Sequence, residues 1–268
     1  EETAVLSRQP AARRELGDNL PVVLGLLVLA AGILWRGRLW INRVTLRLQD
    51  RSSARARRIW AFLASLGQIV VPVVGVVLLS VALQLTGMTG VLGRVIVESL
   101  PVLGLTYFAA AWLGGQLFPQ GARADMALPL SAERRAEGRF LCSAFGLLLA
   151  LETLRRVALD QQDVPEAAVS VLSFPIIALA GLLLFRMGQF IALYVAAEDA
   201  QSERLGYGGK LLAILARGAM VVGVIGPIQA AVGYVLAASA LVFPSVTSLA
   251  LVGLLRVLQR LIFDIYAV

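Results

Sequence analysis

Arginine is the chemically active residue that this sequence concentrates most. Residues 36–58, "RGRLWINRVTLRLQDRSSARARR", hold eight arginines against one acid, Asp50. A guanidinium binds phosphate through paired hydrogen bonds, so the segment could contact either nucleic acid or lipid head groups. Long apolar stretches flank it on both sides, which favours a membrane surface. We therefore predict membrane lipids, anionic on the inner face, as partners, and no nucleic acid.

The arginines also have a helical spacing. Four of them recur every four residues, while Ile41, Val44 and Leu48 lie on a different face. This is the pattern of an amphipathic helix resting on an anionic leaflet. The predicted lipid-head-group contacts are Arg43, Arg47, Arg51, Arg55, Arg57 and Arg58.

Residues for other chemistry are scarce. The chain has no histidine and one cysteine, Cys142, which excludes internal disulfides and thiolate metal sites. The "GYGGK" at 206–210 lacks the leading glycine and the following Ser or Thr of a phosphate-binding loop. No nucleophile–base set is evident, so we predict no enzymatic activity, no metal and no cofactor. Gln68 and Gln229 are predicted deep in apolar runs, as amides bonded to another helix.

The elements that position these residues are apolar runs. The sequence is 59% hydrophobic and 15% charged, with a mean hydropathy of +0.82. Because about 20 apolar residues cross a bilayer as a helix, we predict an all-α polytopic membrane protein. An outer segment, 1–19, precedes a helical membrane domain, 20–268. The seven predicted spans lie near 20–35, 59–85, 95–118, 140–157, 164–185, 211–236 and 240–263. Pro244 is the expected place of the last reversal.

Basic residues predict the orientation. Cytoplasmic loops are enriched in arginine and lysine. The connection 36–58 has eight arginines, 119–139 has four, and 186–210 contains Arg186, Arg204 and Lys210. The basic residues in the opposite connections are only Arg94, Arg155 and Arg156. The N-terminus is therefore expected outside and the C-terminus inside.

Prolines and small residues within the spans predict hinges and close packing. The predicted hinges are Pro72, Pro101, Pro175 and Pro227, although proline is also simply common in membrane helices. In the sixth span, small residues spaced 4, 3, 4, 3, 4 form one predicted helix-packing seam. Its members are Ala219, Gly223, Gly226, Ala230, Gly233 and Ala237.

Two phrases carry a family resemblance. "ALYVAAEDAQSERLGYGGKLLAILARG" and the closing "LLRVLQRLIFDIYAV" resemble the N-terminal membrane region of large bacterial channels in the superfamily of the mechanosensitive channel of small conductance. The resemblance implies an inner-membrane homo-oligomer, usually a heptamer. It also implies a pore helix and a cytoplasmic β-domain beyond residue 268, so no pore residue is carried over. These helices would then be the peripheral, lipid-facing tension sensor of an ion channel.

Two other functions fit the same pattern. A secondary transporter would need an internal repeat and broken helices facing a midplane site. A structural subunit would occupy space in a larger membrane assembly without sensing anything.

Overall fold

A computed structural model of the protein describes residues 20–36, 54–86, 90–119, 131–159, 165–199 and 207–266. Over these residues the chain is all helical, which confirms the predicted fold class. The helices are α1 (Leu20–Arg36), α2 (Ala54–Leu85), α3 (Val91–Leu117), α4 (Ala132–Leu159), α5 (Glu166–Asp199), α6 (Tyr207–Ala231) and α7 (Val235–Tyr266).

Five of the described helices are long and apolar enough to cross a membrane: α2, α3, α5, α6 and α7. The other two differ in how they fall short. Helix α1 is apolar but shorter than the about 20 residues that cross a bilayer. Helix α4 is long, but charged residues lie at both of its ends, including Glu133 and Arg156. Length and composition therefore support five crossing helices instead of the seven predicted.

Gly233 makes the turn that joins α6 to α7. Its φ is 104°, in the left-handed region, which glycine adopts without strain because it has no Cβ. The Gly233 N–H donates to the carbonyl of Ala230 at 3.2 Å, and the Tyr234 N–H donates to that of Gln229 at 2.9 Å. These two bonds form a Schellman motif, which ends α6. The reversal therefore lies at residues 232–234.

Pro244 was expected at this reversal, and that prediction is wrong, because Pro244 lies inside α7. A glycine with positive φ supplies the turn instead. Proline is tolerated inside membrane helices when neighbouring groups satisfy the backbone. The hydroxyls of Ser245 and Thr247, beside Pro244, donate to the carbonyls of Leu241 (2.8 Å) and Phe243 (3.0 Å), and not to the Ala240 carbonyl, whose helical donor Pro244 removes.

The chain forms two compact units, whose boundaries fall within α3, α4 and α7. The first unit contains α1, α2 and the greater part of α3. In it the Ser80 hydroxyl donates to the Val97 carbonyl at 2.6 Å. Trp112 Nε1 donates to Ser65 Oγ at 3.2 Å. These contacts join α2 to α3 as an antiparallel pair.

The second unit contains the end of α3, most of α4, and helices α5, α6 and α7 up to Leu261. Its core is a cluster of buried aromatic, aliphatic and small side chains from all of these helices. Ile177, Leu184 and Val242 are fully buried in it. Helices α5 and α6 run antiparallel, and they supply the backbone on which the candidate site is built.

Candidate functional site

Half of the predicted lipid-head-group contacts lie outside the described part of the chain. Arg43, Arg47 and Arg51 are outside the described residues. Arg55, Arg57 and Arg58 lie in the first two turns of α2. The structure therefore places three of the six predicted head-group contacts at a helix start.

The predicted small-residue seam is divided between two helices and a turn. Ala219, Gly223, Gly226 and Ala230 lie on α6 and are buried. Gly233 lies in the turn, and Ala237 lies on α7, where it is exposed. The spacing of the six residues continues without interruption along the sequence, whereas the Schellman motif ends α6 before the fifth member.

Gly223 lies where α6 approaches α5 most closely. A Cβ atom at this position would lie 2.6 Å from the Phe185 nitrogen and 2.7 Å from the Gly181 oxygen. Both atoms belong to the backbone of α5, which cannot move aside cheaply. Only glycine fits here, as at the small-residue contacts that bring membrane helices together.

Gly181 and Gly188 are the α5 residues that complete this contact. The Pro227 ring lies against Gly181, and a Cβ at Gly188 would lie 2.7 Å from the Ala216 oxygen. Pro227 has no N–H, so the Gly223 carbonyl loses its helical hydrogen bond. That oxygen lies 2.9 Å from the Cβ position of Gly181, which is the setting of a weak Cα–H···O contact.

Gly226 faces a different neighbour from that of Gly223. A Cβ added to Gly226 would collide with the side chain of Val242 on α7. Adjacent members of the predicted seam therefore serve two interfaces, one with α5 and one with α7. Helix α6 therefore packs against α5 and α7 within the second unit.

The four predicted hinge prolines all lie inside helices: Pro72 in α2, Pro101 in α3, Pro175 in α5 and Pro227 in α6. Pro72 is buried and Pro175 is exposed, while the other two are half-buried. None of the four ends its helix, and only the hinge role remains a prediction.

An ion pair between Glu137 and Arg186 links α4 to α5. Nε and Nη2 of Arg186 both lie 2.6 Å from Oε1 of Glu137. Nη1 donates to the side-chain oxygen of Gln189 at 3.3 Å. Arg186 lies inside the apolar stretch Ala168–Ala197, where a charge is expensive unless it is paired. The pair satisfies that requirement.

A second arginine supports the same end of α4. Arg139 Nη1 donates to the Phe118 carbonyl at 2.8 Å, just after α3 ends. A cation at this position is favourable because the last carbonyls of a helix carry partial negative charge. The Phe118 ring packs on Gly138 and lies edge-to-face with Phe190, with ring centroids 5.3 Å apart. The end of α3 is thereby attached to both α4 and α5.

Sequence reasoning missed the Glu137–Arg186 pair. It assigned both residues to inner connections, whereas the structure places them on helices. One sequence signal for the pair was Arg186 inside an otherwise apolar run. The contact of α5 with α6 had a different signal, the seven-residue spacing of Gly181 and Gly188. This spacing puts both glycines on one face of α5.

The two glutamines predicted deep in the spans have different environments. Gln68 is exposed on α2. Oε1 of Gln229, by contrast, is buried and has no hydrogen-bond partner. The predicted amide bond between helices is not found for either residue within the described part of the chain.

The described residues hold no group of three metal-binding side chains. Cys142 is free and buried against α3, and a Cβ at Gly114 would lie 2.7 Å from its own Cβ. This cysteine serves helix packing.

The described features define a class: a multi-pass helical membrane protein with glycine-mediated helix packing. No family model, curated protein or solved structure matches the chain.

Proposed function

We propose that the chain is the peripheral, lipid-facing, tension-responsive domain of a mechanosensitive ion channel. Its pore helix and cytoplasmic β-domain would lie beyond residue 268. The observation that carries the proposal is the apolar surface that the crossing helices leave exposed. Val171 on α5, Ile214 on α6 and Leu251 on α7 are 73%, 66% and 60% exposed. Such side chains are compatible with lipid, which is as apolar as they are.

Tension can act on a domain of this kind only if two arrangements differ in area or thickness. Hydrophobic mismatch contributes a fraction of a kcal/mol per Å for each helix. Several helices in each subunit of a homo-oligomer, such as a heptamer, would sum these terms into a gating free energy. The shift between arrangements follows from that difference in lipid interaction.

Close packing gives the lipid-facing helices a way to act together. The Gly181–Gly223 contact joins α5 and α6 backbone to backbone, and Gly226 joins α6 to α7. Because such contacts do not deform gradually, a load on one helix is transferred to its neighbour. Pro175 and Pro227 would supply the bending points.

The proposal includes seven crossings of the bacterial inner membrane, with the N-terminus outside and the C-terminus inside. Helix α4 is the least apolar of the seven, yet Glu152 is 3% exposed, and it, Arg155 and Arg156 all have interaction partners. Paired charges lower the barrier to insertion. A crossing α4 also keeps the basic connections on one side.

Labelling would test this orientation. Asp163→Cys in a Cys142→Ala background should react with a membrane-impermeant thiol reagent added from outside the cell. A cysteine at Arg204 should react only after the membrane is opened. Protection of position 163 in intact cells would contradict a crossing α4.

Patch-clamp recording from the full-length protein under suction tests the function itself. We expect tension-activated current whose midpoint changes with Gly188→Ala, since the added methyl group presses on the backbone of α6 at Ala216. Gly115→Ala is the matched control, because nothing lies within 4 Å of that Cβ position. Good expression without tension-activated current would overturn the proposal.

A further inference from the structure

Helix α6 carries a stripe of exposed residues on the side away from its glycine contacts. Its members, spaced 4, 3, 4, 3, 4, all lie exposed on one face: Lys210, Ile214, Arg217, Val221, Val224 and Ile228. We call this set the outer stripe. Its first half contains two cations and its second half only apolar side chains. This order matches a phospholipid, in which a charged phosphate is joined to apolar acyl chains.

The two cations are the only charged residues of α6. Within the described residues, neither Lys210 nor Arg217 has an ion pair or a side-chain hydrogen bond. They lie seven residues apart, which is about 10 Å along a helix. An anion positioned beside the helix between them is within reach of both, because lysine and arginine side chains are long and flexible.

Arg217 lies well inside the apolar stretch that it interrupts. The stretch is Gly208–Ala231, so the Arg217 backbone lies about 14 Å from the beginning of it at 1.5 Å per residue. With the membrane insertion proposed above, a guanidinium this far along a crossing helix is unfavourable unless an anion, or water drawn in, lies beside it. A lipid phosphate is the anion that the surroundings supply.

Space for an acyl chain begins beside Arg217. No atom lies within 4 Å of the Cβ position of Gly218, and Gly218 itself is exposed. The side chains of Val221 and Val224, which are 54% and 46% exposed, continue this surface along the helix. An extended acyl chain can lie along it while the phosphate remains beside the cations.

We infer that the outer stripe binds an anionic phospholipid, with its phosphate between Lys210 and Arg217 and an acyl chain along Gly218, Val221 and Val224. A neutral lipid with a choline head group brings its own cation to the same phosphate, so it should bind more weakly. The inference rests on the membrane insertion and orientation proposed above, and not on gating by tension.

A fluorescence experiment on the full-length protein can test this site. All natural tryptophans, including the four of residues 1–268, are replaced by phenylalanine, and a reporter is introduced by Val224→Trp. The protein is reconstituted in phosphatidylcholine vesicles with increasing phosphatidylglycerol, whose acyl chains carry bromine to quench the reporter. We expect half-maximal quenching at a low fraction of phosphatidylglycerol, and at a several-fold higher fraction when brominated phosphatidylcholine is used instead.

The variants identify the contacts. Lys210→Gln and Arg217→Gln should each raise the phosphatidylglycerol fraction for half-maximal quenching about fivefold, the effect of one cation near a lipid surface. Arg217→Lys should retain the low value, which shows that the fold tolerates changes at 217. Arg94→Gln, in the other unit, is the matched control and should leave the phosphatidylglycerol fraction for half-maximal quenching unchanged.

Equal quenching by the two brominated lipids, or no shift with Arg217→Gln, would overturn the inference. The result is independent of channel activity. Selective quenching in a protein without tension-activated current would uphold this site while overturning the proposed function.

Discussion

The two helix pairs α2–α3 and α5–α6 are held together by different chemistry. In the first, serine hydroxyls and an indole bridge the helices, through Ser80 to the Val97 carbonyl and through Trp112 to Ser65. In the second, backbones approach directly at Gly181, Gly188 and Gly223. Both pairs are antiparallel and apolar, so the difference lies in the contact and not in the topology.

The comparison shows two ways of replacing the hydrophobic effect, which does not drive helices together in lipid. Side-chain hydrogen bonds can join helices whose backbones lie further apart, so that less of each helix surface is buried. The apolar stretches of α2 and α3 are 22% and 11% buried, against 28% and 22% for α5 and α6. Glycine contacts require close approach, so they tolerate less change. We therefore expect substitutions in α5–α6 to have the larger effects.

Gly223→Leu should have the largest effect. Its side chain would have to displace the backbone of α5 at Phe185, so we expect a loss of about 3 kcal/mol in the free energy of unfolding. Gly218→Leu, on the same helix but beside open space, should change it by less than about 0.5 kcal/mol. Unfolding in mixed micelles with increasing SDS measures both. Equal losses would remove the distinction between the two faces of α6.

Breaking the Glu137–Arg186 pair should have the next largest effect. Its side chains are 32% and 55% exposed, so we expect a coupling free energy of about 1 kcal/mol between them. A double-mutant cycle with Glu137→Gln and Arg186→Gln measures it in the same unfolding assay. No coupling would mean that the pair adds nothing to the second unit beyond its glycine contacts.

Trp112→Phe should have a smaller effect in the first unit. It removes the indole N–H that Ser65 accepts while keeping the edge-to-face contact with Phe62. Hydrogen bonds between membrane helices average about 0.6 kcal/mol, and we expect a loss of that size. Ser65→Ala combined with Trp112→Phe should add little more. A loss as large as that of Gly223→Leu would contradict the comparison.

Arg94→Gln should have the smallest effect. Arg94 and Glu98 are one helical turn apart on α3, with a distance of 3.0 Å and side chains that are 73% and 51% exposed. Such pairs contribute about 0.3 kcal/mol and weaken with salt. Unfolding at low and high ionic strength checks this, because the difference between variant and wild type should disappear at high salt.

The sequence was sufficient to predict the helices. Apolar runs and their charged borders are local signals, and each described helix overlaps a predicted span. The number of crossings was predicted less well: seven spans were predicted, and five described helices are long and apolar enough, because α1 is short and α4 contains Glu152, Arg155 and Arg156 near one end. Gly223 and Gly226 of the predicted seam lie at buried positions on α6, but the same periodicity continues across the turn at Gly233.

The partners of these residues could not be predicted. Glu137 and Arg186 are 49 residues apart in the chain, and nothing in either segment indicates the other. The same is true of Gly181 and Gly223, which meet only because α5 and α6 pack antiparallel. Pairing depends on tertiary structure, whereas the spacing of residues along one helix reports only which face they share.

The turn at Gly233 has a mechanical consequence for α6 and α7. Three residues, 232–234, separate the two helices, so the linked ends, Ala231 and Val235, cannot part by more than about 14 Å even if the turn is fully extended. Among the described residues the opposite ends have no such covalent link, and there the Arg256 side chain of α7 lies against Gly208 of α6. Helices α6 and α7 can therefore move apart mainly by separating at the ends away from the turn, while the ends next to the turn stay close together. We expect the two helices to respond mainly to lateral stretch in the leaflet that surrounds their free ends.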